Sequence, residues 1–332
     1  MRLRAAAGIA AAAALAASTV PGVASAGPRA PQVAAHPAAA AAAKVHWLSG
    51  AWPADTGSLA AIQSFARYRG SKLDVVSVIV PRTSWSDLAA ATWVVDDYAG
   101  FKGRISIALP LNVNTPGSTL AQVANGKYDT YYKALLQHIV AAGRANSFIR
   151  LGWEFNGDWY PWAAHSPSTF KAAFRHVSTL IHKVSPKLRV EWNGNYGYSQ
   201  VKHNPFSALY PGDAYVNIIG VDAYDRKWFK VTDEQGWQNY LQLQGGLDQW
   251  FTFAMKHHKK FSIPEWALFS DGGRDNAFYI QKMHGYFQQH AAQLAYESYF
   301  NASGSDQRSS LYAPVQNPKA SKTYAKLWKA LS

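Results

Sequence analysis

The segment Val75-Val76-Ser77-Val78-Ile79-Val80 is a nearly continuous run of β-branched apolar residues. A second run, Val216-Asn217-Ile218-Ile219-Gly220-Val221, has the same character. A strand that is exposed on one face alternates apolar and polar residues, whereas a strand that is covered on both faces needs few polar positions. These two runs therefore predict strands of a parallel sheet that is covered by helices on both faces.

Similar runs recur along the chain and alternate with segments of helical periodicity. The eight runs that we interpret as strands are residues 45–52, 73–81, 104–111, 148–155, 188–192, 216–224, 261–266 and 294–300. Between them, segments 128–142 and 169–184 carry apolar residues at helical spacing. Eight strand–helix repeats predict an α/β fold of one domain, a (β/α)₈ TIM barrel. A doubly wound sheet is the alternative, but residues 48–52 lack the glycine fingerprint of its first turn.

The N-terminus predicts an exported protein. Arg2 and Arg4 precede an apolar stretch at residues 5–17, and Ala24-Ser25-Ala26 forms a small-residue cleavage pattern. We therefore expect a signal peptide at 1–26, cleaved near Ala26, a flexible Ala/Pro-rich leader at 27–43 and a catalytic domain at 44–332. The apolar stretch is too short for a stable membrane anchor, and there is no cysteine to carry a lipid. The mature protein is expected to be secreted.

Charge and aromatic content suggest two kinds of partner. The net charge is +13, which could attract an anionic cell-wall polymer, a membrane or a nucleic acid. The basic residues are scattered, however, and the densest run, residues 256–260, follows a predicted helix, where cations complement the helix dipole. The 13 Trp and 18 Tyr residues suit a wet cleft in which rings stack on flat ligands such as sugars or nucleobases.

Two glutamates stand at the predicted exits of strands four and seven. In a barrel the active site lies at the carboxyl ends of the strands. Glu154 lies near the end of the predicted fourth strand, and Glu265 lies near the end of the predicted seventh. Two carboxyl groups that face one bond are the requirement for glycoside hydrolysis: a protonated one assists the leaving oxygen, and in retaining enzymes the other attacks from about 5–5.5 Å away. The pair predicts that one of the two glutamates is the acid/base and the other the nucleophile.

Other residues near these strand ends are candidates for substrate contacts. Arg150 could orient a carboxylate or form a buried structural ion pair, and Asp222 could orient a base or bond to backbone. Trp159 and Trp162 follow the polar loop after Glu154, a position that favours stacking on sugars over a place in the core. The full set of expected substrate-binding residues is Arg150, Trp153, Asn156, Trp159, Trp162, Asn193, Asp222, Tyr224, Trp266 and Tyr299.

The segments around both glutamates resemble glycoside hydrolase family 26, a clan A family of β-mannanases and related β-glycanases. The similarity is strongest in Arg150…Glu154-Phe155-Asn156-Gly157…Trp159…Trp162 and extends to the strand-six region 210–225 and to Pro264-Glu265. The resemblance implies a retaining double displacement with Glu154 as acid/base and Glu265 as nucleophile. It further implies a Tyr at the end of strand six, here Tyr224, that bonds the nucleophile. It also implies a β-linked polysaccharide substrate: β-mannan first, or a related β-glycan such as xylan or mixed-linkage glucan.

One departure concerns specificity. The family usually carries His immediately before the acid/base, at a position that contacts sugar, and this chain has Trp153 there. Trp266, directly after Glu265, replaces a small residue, and we expect it to narrow the cleft. The resemblance therefore implies the class of enzyme more directly than it implies mannan as the substrate.

The main alternative is a non-catalytic secreted carbohydrate-binding protein on a barrel scaffold. A metal-dependent barrel hydrolase is disfavoured because strand one has no His-x-His motif, so we expect no metal and no cofactor. A serine hydrolase is disfavoured because no Gly-x-Ser-x-Gly motif is present. Nucleic acid is not expected as a partner because two strand-end glutamates repel phosphates. An anionic cell-wall polymer remains open as a partner, and we expect a monomer.

Overall fold

The computed structural model describes residues 46–53, 58–269, 275–304 and 307–331. The predicted signal peptide and leader lie outside these ranges. Eight parallel strands close into a barrel in which each strand pairs with the next and β8 pairs with β1. The strands are β1 (Ser49–Trp52), β2 (Val75–Ile79), β3 (Arg104–Leu109), β4 (Phe148–Leu151), β5 (Arg189–Asn195), β6 (Ile218–Asp225), β7 (Lys260–Leu268) and β8 (Leu294–Phe300). The predicted (β/α)₈ barrel is thus confirmed.

Helices connect the strands on the outside of the barrel. They are α1 (Leu59–Arg69), α2 (Trp85–Ala89), α3 (Trp93–Asp96), α4 (Leu120–Ala124), α5 (Asp129–Ala141), α6 (Pro167–Val184), α7 (Glu234–Gln242), α8 (Leu247–Lys256), α9 (Ala277–His290) and α10 (Pro318–Trp328). A π-helical turn (Pro205–Leu209) and a 3₁₀ turn (Asp213–Tyr215) precede β6. None of the described helices is long and apolar enough to cross a bilayer.

Buried apolar residues form two clusters, one between the barrel and its helices and one inside the barrel. Outward-facing strand residues and the inner faces of the helices form the main core, because helices cover the sheet all round. Inside the barrel, Val75, Phe148, Ile218 and Tyr296 form a separate small apolar cluster, one residue from each even-numbered strand. Alternate strands of such a barrel contribute residues to alternate interior layers. The cluster is one such layer, near the amino ends of the strands.

The fourth and seventh strands differ from the predicted segments. β4 ends at Leu151, four residues before the predicted end, because Gly152 and Glu154 turn the chain out of the sheet. β7 continues to Leu268, two residues beyond the predicted end. Both differences lie where the two candidate carboxyl groups emerge.

Candidate active site

The backbone bends sharply where β4 delivers Glu154. Gly152 has φ +55° and Glu154 has φ +51°, and a Cβ at Gly152 would lie 2.7 Å from the Cβ of Leu111. The Glu154 amide donates a hydrogen bond to the Asn193 carbonyl at 2.8 Å. A left-handed conformation costs a non-glycine residue roughly 1–2 kcal/mol, and such strain clusters at functional sites. The surrounding structure thus holds the Glu154 backbone in a left-handed conformation that glutamate does not favour.

A bulge in β7 turns Glu265 toward the barrel axis. Ile263 pairs with Glu297 and Trp266 pairs with Tyr299, so three steps along β7 match two along β8. The same extra residue shows against β6. Side chains alternate between the faces of a strand, and one extra residue reverses that alternation. Glu265 consequently faces inward, and Trp266 faces outward into the core.

Glu265 accepts hydrogen bonds on both carboxylate oxygens. The guanidinium Nη1 of Arg150 donates to Oε1 and the hydroxyl of Tyr224 donates to Oε2, both at 2.7 Å. Arg150 is fully buried and also contacts Asp222 Oδ2 at 2.7 Å and Asn193 Oδ1 at 2.7 and 3.0 Å. A cation and a hydroxyl donor both stabilise the ionised form of a carboxyl group. The arrangement fixes the orientation of Glu265 and presents it as a carboxylate.

Glu154 is in the opposite electrostatic environment. Burial, first, and then the negative charge of Glu265 raise the pKa of Glu154, which reaches about 8. A hydrogen bond from Trp159 Nε1 to Glu154 Oε2 at 3.0 Å and the charges of Arg150 and Arg226 act against this shift. Because the pKa of Glu154 lies above 7, its carboxyl group is mainly protonated at neutral pH. The site therefore contains an acid and an anion at the same time.

Both glutamates line one open cleft of about 810 Å³. Three aromatic side chains of its rim are substantially exposed: Trp159 (44%), Tyr198 (68%) and Trp228 (55%). Exposed aromatic rings in a cleft suit stacking on sugar rings. The cleft is also lined by Tyr160, Asn195, Arg226, Phe269 and Gln307. Within the described residues no group of three or more His, Cys, Asp or Glu is placed to hold a metal ion.

The predicted site residues fall into three groups. Glu154, Glu265, Trp159 and Tyr224 line the cleft. A second group lies buried directly beneath it and orients other groups: Arg150, Asn193, Asp222 and Asn156, of which Asn156 binds the backbone of Asn195 through both amide atoms at 2.6 and 2.8 Å.

The third group lies in the core, which corrects the expectation that these residues contact sugar. Trp162 is fully buried and donates to the Trp153 carbonyl at 2.8 Å. Trp266 donates to the buried Glu297 at 2.6 Å, so it packs outside the barrel and does not narrow the cleft. Tyr299, which also faces outward, donates to the Ser309 carbonyl at 2.7 Å. For Trp266 and Tyr299 the physical reason is strand alternation, because neighbours of inward-facing residues point outward. Trp162 lies beyond β4, where its ring packs against Trp153 and Tyr160.

Trp153 is also buried, with its Nε1 donating to the hydroxyl of Tyr160 at 3.1 Å. Tyr160 lines the cleft, whereas Trp153 does not. Trp153 therefore borders the cleft only through its contact with Tyr160, which corrects the expectation that it contacts sugar. Tyr160 itself was not among our predicted residues, although its position six residues after Glu154 in the same loop is the signal for it.

The loop after β6 contributes residues that the sequence interpretation missed. Arg226 lies between two rings, with its guanidinium carbon 4.3 Å from the centre of the Trp228 ring and 3.9 Å from that of Phe269. Trp228 follows the end of β6 by three residues, and Phe269 follows the end of β7 by one. Aromatic residues directly after strand ends are the signal that would have identified both. Gln307 carries no comparable signal.

The sequence model described as glycosyl hydrolase family 26 matches residues 117–299. Endoglucanase H of Acetivibrio thermocellus is 31% identical over 237 residues, which is 68% of this chain and 24% of that protein. The chain thus spans about a quarter of the length of this relative.

Solved structures share the fold at low sequence identity. The catalytic domain of a Bacillus sp. JAMB-750 GH26 endo-β-1,4-mannanase superposes with a TM-score of 0.60 at 15% identity, over 86% of each chain. A GH26 β-mannanase from Bacteroides ovatus superposes with a TM-score of 0.57 at 14% identity, over 87% of this chain and 90% of the other. At this identity the likeness concerns the fold.

Proposed function

Because the chain belongs to glycosyl hydrolase family 26 and is therefore a glycoside hydrolase, we propose that it cleaves a β-linked polysaccharide by double displacement, with Glu154 as acid/base and Glu265 as nucleophile. The family membership confirms the resemblance that the two glutamate segments carry. We also propose that the enzyme acts outside the cell, on the strength of its N-terminal sequence.

The first step uses the two protonation states of the site. Glu154 donates its proton to the glycosidic oxygen, while the Glu265 carboxylate attacks the anomeric carbon. The carbon–oxygen bond to the leaving sugar breaks, and a glycosyl ester forms on Glu265. The hydrogen bonds from Arg150 and Tyr224 hold the attacking carboxylate in one orientation, which reduces the entropy lost on reaching the transition state.

The second step reverses the role of Glu154. Ester formation removes the negative charge of Glu265, which is one of the causes that raise the pKa of Glu154. The pKa of Glu154 therefore falls in the intermediate, and its carboxylate can take a proton from water. The water attacks the anomeric carbon, the ester bond to Glu265 breaks, and both glutamates return to their initial states. Two inversions at one carbon retain its configuration.

A single observation carries this proposal: one cleft contains two carboxyl groups whose surroundings favour opposite protonation states. Glu154 has a pKa of about 8 owing to burial and the charge of its neighbour, and Glu265 receives a guanidinium and a hydroxyl donor. A carbohydrate-binding protein requires the aromatic rim of the cleft but not this pair. We therefore favour catalysis over binding alone.

For the substrate we propose a β-linked mannan or glucan backbone. The relative with the similar sequence is Endoglucanase H, and the two structures with the similar fold are β-mannanases. Glucose and mannose backbones are therefore both candidates, with xylan and mixed-linkage glucan as further members of the test panel. The cleft is open, and Tyr198 and Trp228 expose aromatic surface at its rim. That arrangement supports binding of a polymer that extends beyond the cleavage point.

The test combines a substrate panel with product analysis. Reducing ends released from β-mannan, mixed-linkage glucan, cellulose and xylan identify the backbone. Time-resolved ¹H NMR of the active substrate then reports the anomer that forms first, which we expect to be β. Glu154→Gln and Glu265→Gln should each lower turnover by at least about a thousandfold. First formation of the α-anomer refutes double displacement, and turnover on no β-glycan favours the carbohydrate-binding alternative.

A further inference from the structure

Cationic residues begin three alternate strands at the end of the barrel opposite the active site. Arg104 is the first residue of β3, Arg189 of β5 and Lys260 of β7. The even-numbered strands between them begin with the apolar residues Phe148 and Ile218. Alternate strands supply alternate interior layers of such a barrel. The three cations therefore belong to one layer, which we name the lower mouth.

The register of the strands directs these cations toward the barrel axis. Two residues further along each strand, Ser106, Glu191 and Ser262 face the interior. Ser106 is 2.7 Å from the Tyr296 hydroxyl, and Ser262 donates to Glu191 at 2.7 Å. Side chains two apart on a strand share a face. The guanidinium carbon of Arg104 also lies 5.2 Å from the centre of the Phe148 ring, within the interior.

The apolar layer separates the lower mouth from the polar interior. Val75, Phe148, Ile218 and Tyr296 make up this layer. Glu191 accepts its hydrogen bonds from Ser262 and Tyr296 on the far side of it. An anion at the mouth thus contacts the cations without entering the network that supports Glu265.

The three cations of the lower mouth line an open hollow of about 450 Å³. Arg104, Arg189, Lys260 and His46 contribute to its lining, and none of the described lining residues is Asp or Glu. His46 lies 3.8 Å from Asp74, which also pairs with Lys72 outside the hollow. The Lys260 ammonium donates to the Ala292 carbonyl at 2.6 Å, a contact that positions it without neutralising its charge.

We propose that the lower mouth binds a phosphate group of a phosphodiester-linked polymer. Guanidinium groups bind phosphate oxygens through paired hydrogen bonds, and an ammonium adds a point charge. The volume lies in the range of pockets that hold small organic ligands, so it accommodates a phosphate together with its neighbouring polyol units. Leu294 and Ala295 line the same hollow and supply apolar surface for the polyol carbons.

The proposal assigns a partner to three of the 33 Lys and Arg residues of this basic chain. It predicts that the polymer tethers the enzyme through one end of the barrel and leaves the cleft at the other end free. The proposal does not depend on hydrolysis, because the cations lie at the amino ends of the strands and both glutamates at the carboxyl ends.

The experiment measures binding of a short poly(glycerol phosphate) by calorimetry at low ionic strength. The triple variant Arg104→Gln/Arg189→Gln/Lys260→Gln should bind at least about tenfold more weakly than the wild type, and Arg189→Gln alone, at an exposed side chain, should bind several-fold more weakly. A matched control, Arg67→Gln/Lys133→Gln/Lys322→Gln, removes the same charge from exposed positions on three helices and should change binding by less than about twofold. All variants should keep wild-type hydrolysis and melting temperature to within a few degrees.

Three results would overturn the proposal. Equal weakening in the control triple would show that net charge alone attracts the polymer. Binding of polygalacturonate as tight as that of the phosphate polymer would remove the assignment to phosphate. Binding of inorganic phosphate without binding of the polymer would remove the assignment to a polymer. If the triple variant unfolds, Arg189→Gln decides: an affinity equal to that of the wild type refutes the site.

Discussion

Replacing Glu154 by Gln should make the folded protein more stable at neutral pH, and the gain should vanish at acidic pH. The carboxyl group of Glu154 has a pKa near 4.5 when unfolded and about 8 when folded. Below pH 4.5 the carboxyl group is protonated in both the folded and the unfolded protein, so it does not lower the free energy of unfolding. As pH rises from 4.5 toward 8, the unfolded state ionises freely while the folded state holds the proton, and stability falls. Gln has the same shape and cannot ionise.

The size of the effect follows from the same pKa values. At about 1.4 kcal/mol per pH unit, the cost of keeping Glu154 protonated at pH 7 reaches about 3 kcal/mol. Removing that cost should raise the melting temperature by roughly 5 °C or more. The amide oxygen of Gln can still accept the hydrogen bond from Trp159, so little is lost in exchange.

The assay is thermal unfolding of the wild type and the variant between pH 4 and pH 8, followed by circular dichroism. The difference in melting temperature should grow with pH and level off near pH 8. Glu265→Gln is the matched control: it removes a charge that Arg150 contacts at 2.7 Å, so it should destabilise the protein by about 1–3 kcal/mol. A Glu154→Gln variant that is no more stable at pH 7 than at pH 4.5 would refute the reasoning.

Further predictions concern catalysis and the stability of the site. Because Glu154 acts as an acid with a pKa of about 8, kcat/KM should fall as pH rises through 8. Trp159→Phe removes a hydrogen bond that lowers this pKa, so the fall should shift to higher pH by up to about one unit; an unchanged profile would contradict the role given to Trp159. Tyr224→Phe loses the 2.7 Å hydrogen bond to Glu265 and should reduce kcat by roughly 10- to 100-fold with little change in KM, as measured by steady-state kinetics. Arg150→Lys cannot bridge its three partners and should destabilise the protein by about 2–4 kcal/mol in denaturant unfolding; a stability equal to that of the wild type would show that the network carries little energy.

The sequence allowed prediction of the barrel and of two strand-end glutamates that share one cleft, for related physical reasons. Strands buried on both faces leave long apolar runs, such as Val75–Ile79, which are visible without a structure. The strand exits then indicate where the polar residues of an active site lie. Glu154 and Glu265 could be selected because each is a carboxyl residue among aromatics at such an exit.

Side-chain direction could not be predicted in the same way. Trp266 and Tyr299 stand beside inward-facing positions, but strand alternation and the β7 bulge turn both into the core. Pro264 is the local signal for that bulge, because proline within a central strand interrupts the ladder. Contacts between distant segments, such as the stacking of Arg226 on Phe269, depend on the folded loops and leave no local pattern.

The identity of the nucleophile is open to a direct chemical test. A 2-deoxy-2-fluoro glycoside with a good leaving group, in the configuration of the preferred backbone, should form its glycosyl ester and then hydrolyse slowly, because fluorine destabilises the cationic transition state of both steps. Mass spectrometry of the digested protein then locates the added sugar. We predict one label, on the peptide that contains Glu265. A label on another residue, or turnover of the natural substrate with no covalent adduct, would contradict double displacement through Glu265.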